Sequence, residues 1–261
     1  MGQGGRDLHG SAGRHRISVQ LHDAGQVVTA KAGGVGGPEH GPAGRDHRQP
    51  ALAGKGWHYG LADVDPPAAD TMHVASPGCY PTASLLASLP ALDAGLASGP
   101  LIVDGKSSIS GAGATPRDDL HFPAANEAVR AYHVVGHDHQ AEIAGKSGVK
   151  TRFTPHLVPM GRGLLATVYL QTDAEPQEIH DVYEQAYADA KFVHFGPEPD
   201  TSHVRHTNHA QVAVDVDDGI MVARCAIDNL QKGGSGQAVQ NLNHIMDWAL
   251  ETGLEHAGGG P

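Results

Sequence analysis

No phenylalanine, tryptophan or tyrosine occurs before Trp57, whereas 13 of the 35 glycines fall within residues 1–55. A buried core needs large apolar side chains, so any core must be built from residue 57 onward. Residues 31–56, KAGGVGGPEHGPAGRDHRQPALAGKG, show neither a period of 2 nor a period of 3.6 in their apolar positions. Residues 1–55 are therefore expected to be poorly ordered. RISVQLH (16–22) is the one strand-like run among them, and one strand makes no domain.

Beyond Trp57 the pattern becomes regular. ASLLASLPALDAGL reads as a helix that Pro90 interrupts, and PLIVDGKSSIS as a buried strand ending in small polar residues. AANEAVRAYHVV reads as a short helix, GLLATVYLQT (163–172) as a strand, and PQEIHDVYEQAYADA (176–190) as a helix with Pro176 in its first turn. Two alternating runs around Asp218-Gly219 within 211–228 predict a hairpin. Residues 234–253 read as a final helix, with Ala238, Leu242, Ile245 and Ala249 on one face and Gly253 as its stop. Strands and helices mix without strict βαβ alternation, so the fold class is α+β.

The formal net charge of −11 argues against a nucleic-acid or membrane-surface partner. No run approaches the roughly 18 apolar residues of a membrane span, and no apolar signal core opens the chain. With only Cys79 and Cys225 there is no disulfide framework, so a soluble protein of the reducing cytoplasm is expected.

Within HVASPGCYPTASLLASL (73–89), Cys79 stands between Pro77-Gly78 and Tyr80-Pro81, immediately before a helix-like run. At a strand-to-helix corner its sulfur meets unpaired backbone N–H groups and the positive end of the helix dipole. That setting predicts a lowered thiol pKa and a thiolate suited to acyl transfer, whereas Cys225 in MVARCAID reads as buried and inert. In GHDHQAEI, His137 and His139 are candidates for proton transfer. A zinc site built on the same His-x-His is set aside, because no third ligand stands at metal spacing.

SPGCYPTA, SSISGAGATPR, GHDHQAEI, TPHLVPMGRGLLATVY and KGGSGQAVQNLN, in that order, resemble N-acetyl-gamma-glutamyl-phosphate reductases of the aspartate-semialdehyde-dehydrogenase-like group. The likeness runs from about Trp57 to about Leu254. It implies NADPH-dependent reductive dephosphorylation of an acyl phosphate to an aldehyde, through a thioester on Cys79, in a homo-oligomer. N-acetylglutamyl phosphate and a carrier-linked aminoadipyl phosphate both fit as substrate.

The resemblance further implies acid–base work by His137 or His139, either imidazole fitting the role. Substrate anchoring falls to His156 and Arg162, and cofactor contacts to Ser110, Gly111, Gly113, Gln237 and Asn241. Asp138 stands where the family usually has arginine, and Ala114 where it often has a basic residue.

The family opens with a Rossmann unit, yet G-x-G-x-x-G occurs nowhere in this chain. The expected organisation is an atypical segment (1–55), a nucleotide-domain remnant holding the cysteine corner (56–99), an α+β substrate and dimerisation domain with a mixed, largely antiparallel sheet (100–229), and a returning helix (230–261). An upstream frameshift or misassigned start is the expected origin of residues 1–55. The rival expectation is a catalytically impaired, self-associating remnant without a competent NADP site.

Overall fold

A computed structural model describes residues 16–22, 25–31 and 57–255. The expected poor order of residues 1–55 lies outside the described residues, apart from two strands. These are β1 (Arg16–His22), which the sequence indicated, and β2 (Gly25–Lys31), which it did not. They pair antiparallel and extend a small sheet containing β3 (His58–Tyr59) and β4 (His73–Ser76), in the order β1-β2-β4-β3.

β4 runs straight into α1 (Cys79–Asp93), whose residues from Tyr80 to Ala91 are all buried. Pro90 does not interrupt this helix. A proline leaves the carbonyl four residues earlier without its helical partner, and the Tyr187 hydroxyl supplies that bond to Leu86 O at 2.5 Å. Tyr183 bonds Ala87 O one residue along, also at 2.5 Å. Pro81 falls in the first turn, where backbone N–H groups have no intrahelical acceptor in any case.

The body of the protein is a seven-stranded sheet with helices. After α1 come β5 (Ser98–Ser108), α2 (Phe122–Ala125), β6 (Arg130–Ala131), α3 (Asp138–Ser147), β7 (Thr151–Val158), β8 (Leu164–Gln171) and α4 (Pro176–Tyr187). β9 (Val193–Phe195), α5 (Thr201–Val204), β10 (Ala210–Asp217), β11 (Ile220–Ile227) and α6 (Gly236–Ile245) complete it. The strand order is β6-β7-β5-β8-β11-β10-β9. Four of its six neighbouring pairs are antiparallel and two, β5 with β7 and β9 with β10, are parallel. This is the expected α+β body with a mixed, largely antiparallel sheet.

Burial alternates along β7 and β8 with a period of two. The buried set (Phe153, Leu164, Ala166, Val168, Leu170) joins residues of α1 in one core. α1 lies on this inner face and packs against both α3 and α4. The other face is partly open, with Ile102 48% and Ile220 38% exposed.

Two expected helices are shorter than the sequence indicated. In the segment read as AANEAVRAYHVV (124–135) only Ala124 and Ala125 are helical, as the end of α2. Glu127 and His133 adopt positive φ, and residues 130–131 instead pair with β7, so edge pairing overrides helix propensity. The last helix ends at Ile245, well before Gly253. Asp247 turns left-handed, and the Asn243 amide draws the following turns back by donating to Leu250 O and Thr252 O. Ala249 is consequently exposed.

A buried charge pair ties the start of the described body to its end. Lys232 Nζ, with no side-chain exposure, bonds the Asp63 carboxylate, and Gln240 bridges both, accepting from Nζ at 2.7 Å and donating to Asp63 at 3.0 Å.

Candidate active site

Cys79 is the first residue of α1, directly after the extended N-cap Gly78. It lines a cleft of about 560 Å³ with Tyr80, Ser107, Gly111, Arg117, Arg130, Tyr132, His137 and His139, among others. Glycine is required on both sides of the sulfur. A Cβ on Gly78 would lie 2.5 Å from His139 Nε2, and one on Gly233 would lie 2.6 Å from Cys79 Cβ.

α3 brings both histidines to this corner. His137 is its N-cap, with Nδ1 accepting from the His139 backbone N–H at 3.1 Å. The two rings are 4.8 Å apart, and His137 also packs edge-on against Phe153. Burial lowers the pKa of both imidazoles, that of His139 to about 3, so each is neutral at pH 7.

Glu142 lies one turn beyond His139 and is 4% exposed. Its Oε1 accepts from the Tyr59 hydroxyl at 2.8 Å and from the Gly78 N–H at 3.1 Å. Burial outweighs these two bonds and lifts its pKa to about 7. The sequence reading gave Glu142 no role, although the i,i+3 spacing from His139 on a helix was a usable signal.

The thiol corrects a prediction. Burial pushes Cys79 up to about 12, and the negative charge of Glu142 adds to the rise; the backbone N–H groups of Tyr80 and Cys79 oppose it without winning. The helix-terminus argument was right in sign and too small in magnitude. At rest the site holds a neutral thiol beside neutral imidazoles, not a thiolate. Cys225, fully buried in β11, is raised as well.

The other expected site residues divide. Gly111 lines the cleft, in the 3₁₀ turn Ile109–Ala112. Ser110 is held just behind it, bonded to Ser108 and to Asn229, whose Oδ1 also accepts from the Gly163 N–H. Gly113 is exposed with φ +87°.

His156 alternates with Leu157 on β7 and so points away from the cleft that Leu157 lines. It pairs instead with Asp104 at 3.1 Å. Arg162 also lies outside the cleft. Its guanidinium meets both oxygens of buried Asp228, at 3.3 and 3.2 Å, beside a separate hollow lined by Thr201, Ser202 and Arg205. Neither residue therefore stands where the expected substrate anchor was placed. Arg117 and Arg130, which the sequence reading passed over, are the cations that do line the cleft.

Gln237 and Asn241 are fully buried and outside the cleft lining. Asn241 donates to Gly60 O and Ser76 Oγ, which secures β4 below the cysteine corner. The Gln237 amide has no hydrogen-bond partner among the described residues. No helix precedes α1 among the described residues, so they contain no strand–glycine turn–helix cradle for a pyrophosphate.

A family model described as "Semialdehyde dehydrogenase, dimerisation domain" matches residues 79–229. The chain belongs to this family. Among curated relatives, the N-acetyl-gamma-glutamyl-phosphate reductase of Halorhodospira halophila is 43% identical over 211 residues, covering 76% of this chain and 61% of that protein. The protein of the same name from Brevibacillus brevis is 43% identical over 195 residues, covering 69% and 56%. The chain thus spans about three fifths of the length of the curated relatives it matches. Aspartate semialdehyde dehydrogenase II from Vibrio cholerae shares the fold, with a TM-score of 0.53 at 17% identity over 67% of this chain and 62% of that one. Within the semialdehyde dehydrogenase family, the matched region opens on Cys79 and closes on Asn229, the residue that clamps the turn behind Gly111. No helix of the described residues is long and apolar enough to cross a membrane.

Proposed function

We propose that this chain carries the acyl-transfer chemistry of an N-acetyl-gamma-glutamyl-phosphate reductase, an oxidoreductase of arginine biosynthesis, with Cys79 as nucleophile. The single observation that supports this best is the placement of Cys79 on one cleft wall with both imidazoles of His137 and His139. In this reading residues 57–99 hold the cysteine corner, 100–229 serve substrate binding and self-association, and α6 (Gly236–Ile245) is the returning helix. The half-open sheet face around Ile102 and Ile220 is the proposed surface of a homo-oligomer.

Because the resting thiol is neutral, attack must be concerted with proton loss. The sulfur forms its bond to the acyl carbon while its proton passes to an imidazole, and inorganic phosphate departs with the C–O bond pair. His139, neutral and pressed against Gly78, is the proposed acceptor, and His137 fixes the start of α3. Reduction of the thioester to the aldehyde would need a hydride donor, and NADPH, if bound, would supply it. The chain's own described residues account for the chemistry as far as the thioester.

The test is consumption of NADPH by the purified full chain on addition of N-acetyl-gamma-glutamyl phosphate. One aldehyde per NADPH, abolished in Cys79→Ser, supports the whole reaction. Phosphate release without NADPH consumption limits the chain to acyl transfer, and neither event rejects the reading.

A further inference from the structure

The substrate proposed above carries an α-carboxylate that a simple acyl phosphate lacks, and the cleft shows what would read it. Arg117 and Arg130 are the two permanent cations of the lining. They are not equivalent. Arg117 is already engaged by a carboxylate, donating from Nε to Asp119 Oδ1 at 3.0 Å and from Nη2 to Oδ2 at 2.7 Å. This fork draws the Asp119 pKa down, and it cancels the charge of Arg117. Arg130 bonds only the backbone oxygen of Asp119, and no carboxylate pairs with it among the described residues. It is half-buried on edge strand β6, in register with Leu157, another residue of the lining.

We infer that Arg130 is the specificity-determining anchor for the substrate's α-carboxylate, and that the Arg117–Asp119 pair positions it through the Asp119 carbonyl. The inference rests on the acyl-phosphate reading. A planar guanidinium with unspent N–H groups suits a carboxylate better than an ammonium does. Asp119 on Arg117 shows the same fork already accepting a carboxylate two residues away in sequence. Asp138, the lining's second carboxylate, repels an anion, and the charge of Asp119 reaches Arg130 without pairing with it, so the free face of the Arg130 fork is what gives an anion a place to bind.

The experiment compares equilibrium binding of N-acetyl-L-glutamate with that of its α-amide, which keeps the side-chain carboxylate and loses the α charge. The full chain should prefer the acid by about tenfold. Arg130→Ala should abolish that preference and Arg130→Lys retain part of it. Arg117→Ala should weaken the preference about threefold, and Arg117→Lys, which keeps a charged donor for Asp119, should restore part of it, a rescue that general loosening of the segment would not give. Thermal unfolding of each variant checks that the fold persists, and Arg130→Gln serves where Arg130→Ala is unstable. A wild-type chain that does not discriminate, or an Arg130 variant that still does, overturns the assignment. Loss of preference in the variant, together with a wild-type chain that releases no phosphate from the acyl phosphate, keeps the anchor and rejects the reading it was built on.

Discussion

His139 Nε2 stands where the side chain of any residue other than glycine at position 78 would have to go: an added Cβ would lie 2.5 Å from it. Gly78 itself has an extended backbone, φ −66° and ψ 167°, that alanine adopts freely. Gly78→Ala is therefore a steric test without a backbone penalty. It should push the imidazole off the cysteine corner and slow phosphate release by at least about tenfold, while unfolding shifts by less than about 2 kcal/mol. An unchanged rate in a folded variant removes His139 from the reaction.

The raised thiol pKa sets a pH profile. With Cys79 near 12 against an ordinary 9.0, its thiolate fraction at pH 7 is roughly a thousandfold below that of an unperturbed thiol. Alkylation of Cys79 by iodoacetamide should be slow at pH 7 and rise about tenfold per unit, without a plateau, to pH 10. A plateau near neutrality would restore the thiolate first expected from the helix terminus.

Glu142 makes stability fall as pH rises. Its folded pKa of about 7 exceeds the unfolded 4.5, so the folded state holds the proton more tightly. That contribution is complete below about 4.5 and is lost progressively up to about 7. Glu142→Gln keeps an oxygen for Tyr59 and Gly78 while removing the charge. The variant should unfold at a higher temperature than the parent at pH 8, by about 3 kcal/mol at most, and the gap should close at pH 5. A gap that widens on acidification contradicts the assignment.

Pro90 and Tyr187 should be coupled. Tyr187→Phe strands Leu86 O inside the core, at a cost of about 1–3 kcal/mol. In a Pro90→Ala background the new backbone N–H can take that carbonyl, so the same change should cost measurably less. Equal costs in a denaturant double-mutant cycle would show that the hydroxyl is not the substitute donor.

Lys232→Met should leave the Asp63 carboxylate buried without its cation and lower stability by about 3–5 kcal/mol, measured by urea unfolding. A loss under 1 kcal/mol would mean that Gln240 alone satisfies Asp63.

Where the sequence spoke clearly, it did so through local signals strong enough to survive packing. The hairpin at Asp218-Gly219, the helix that opens on Pro176, and the corner at Gly78-Cys79 were all legible. Misreadings came where a distant partner decides. Tyr187, nearly a hundred residues away in the chain, explains why Pro90 sits inside a helix. Pairing with β7 turns a helix-like run at 130–131 into an edge strand, and that strand is what delivers Arg130 to the cleft. Alternation alone could have turned His156 away from Leu157, had a strand been read from Thr151 onward. The tie between Arg162 and Asp228 could not be anticipated, because nothing in sequence links residues 66 positions apart. The Cys79 pKa was misjudged because a helix terminus is visible in sequence and the depth of burial is not.

The most direct measurement is the mass of the acid-quenched chain after brief exposure to N-acetyl-gamma-glutamyl phosphate. The account predicts one N-acetylglutamyl group, located on the peptide containing Cys79, released by neutral hydroxylamine and absent from Cys79→Ser. An unmodified Cys79, or an acyl group that persists in the serine variant, would contradict it.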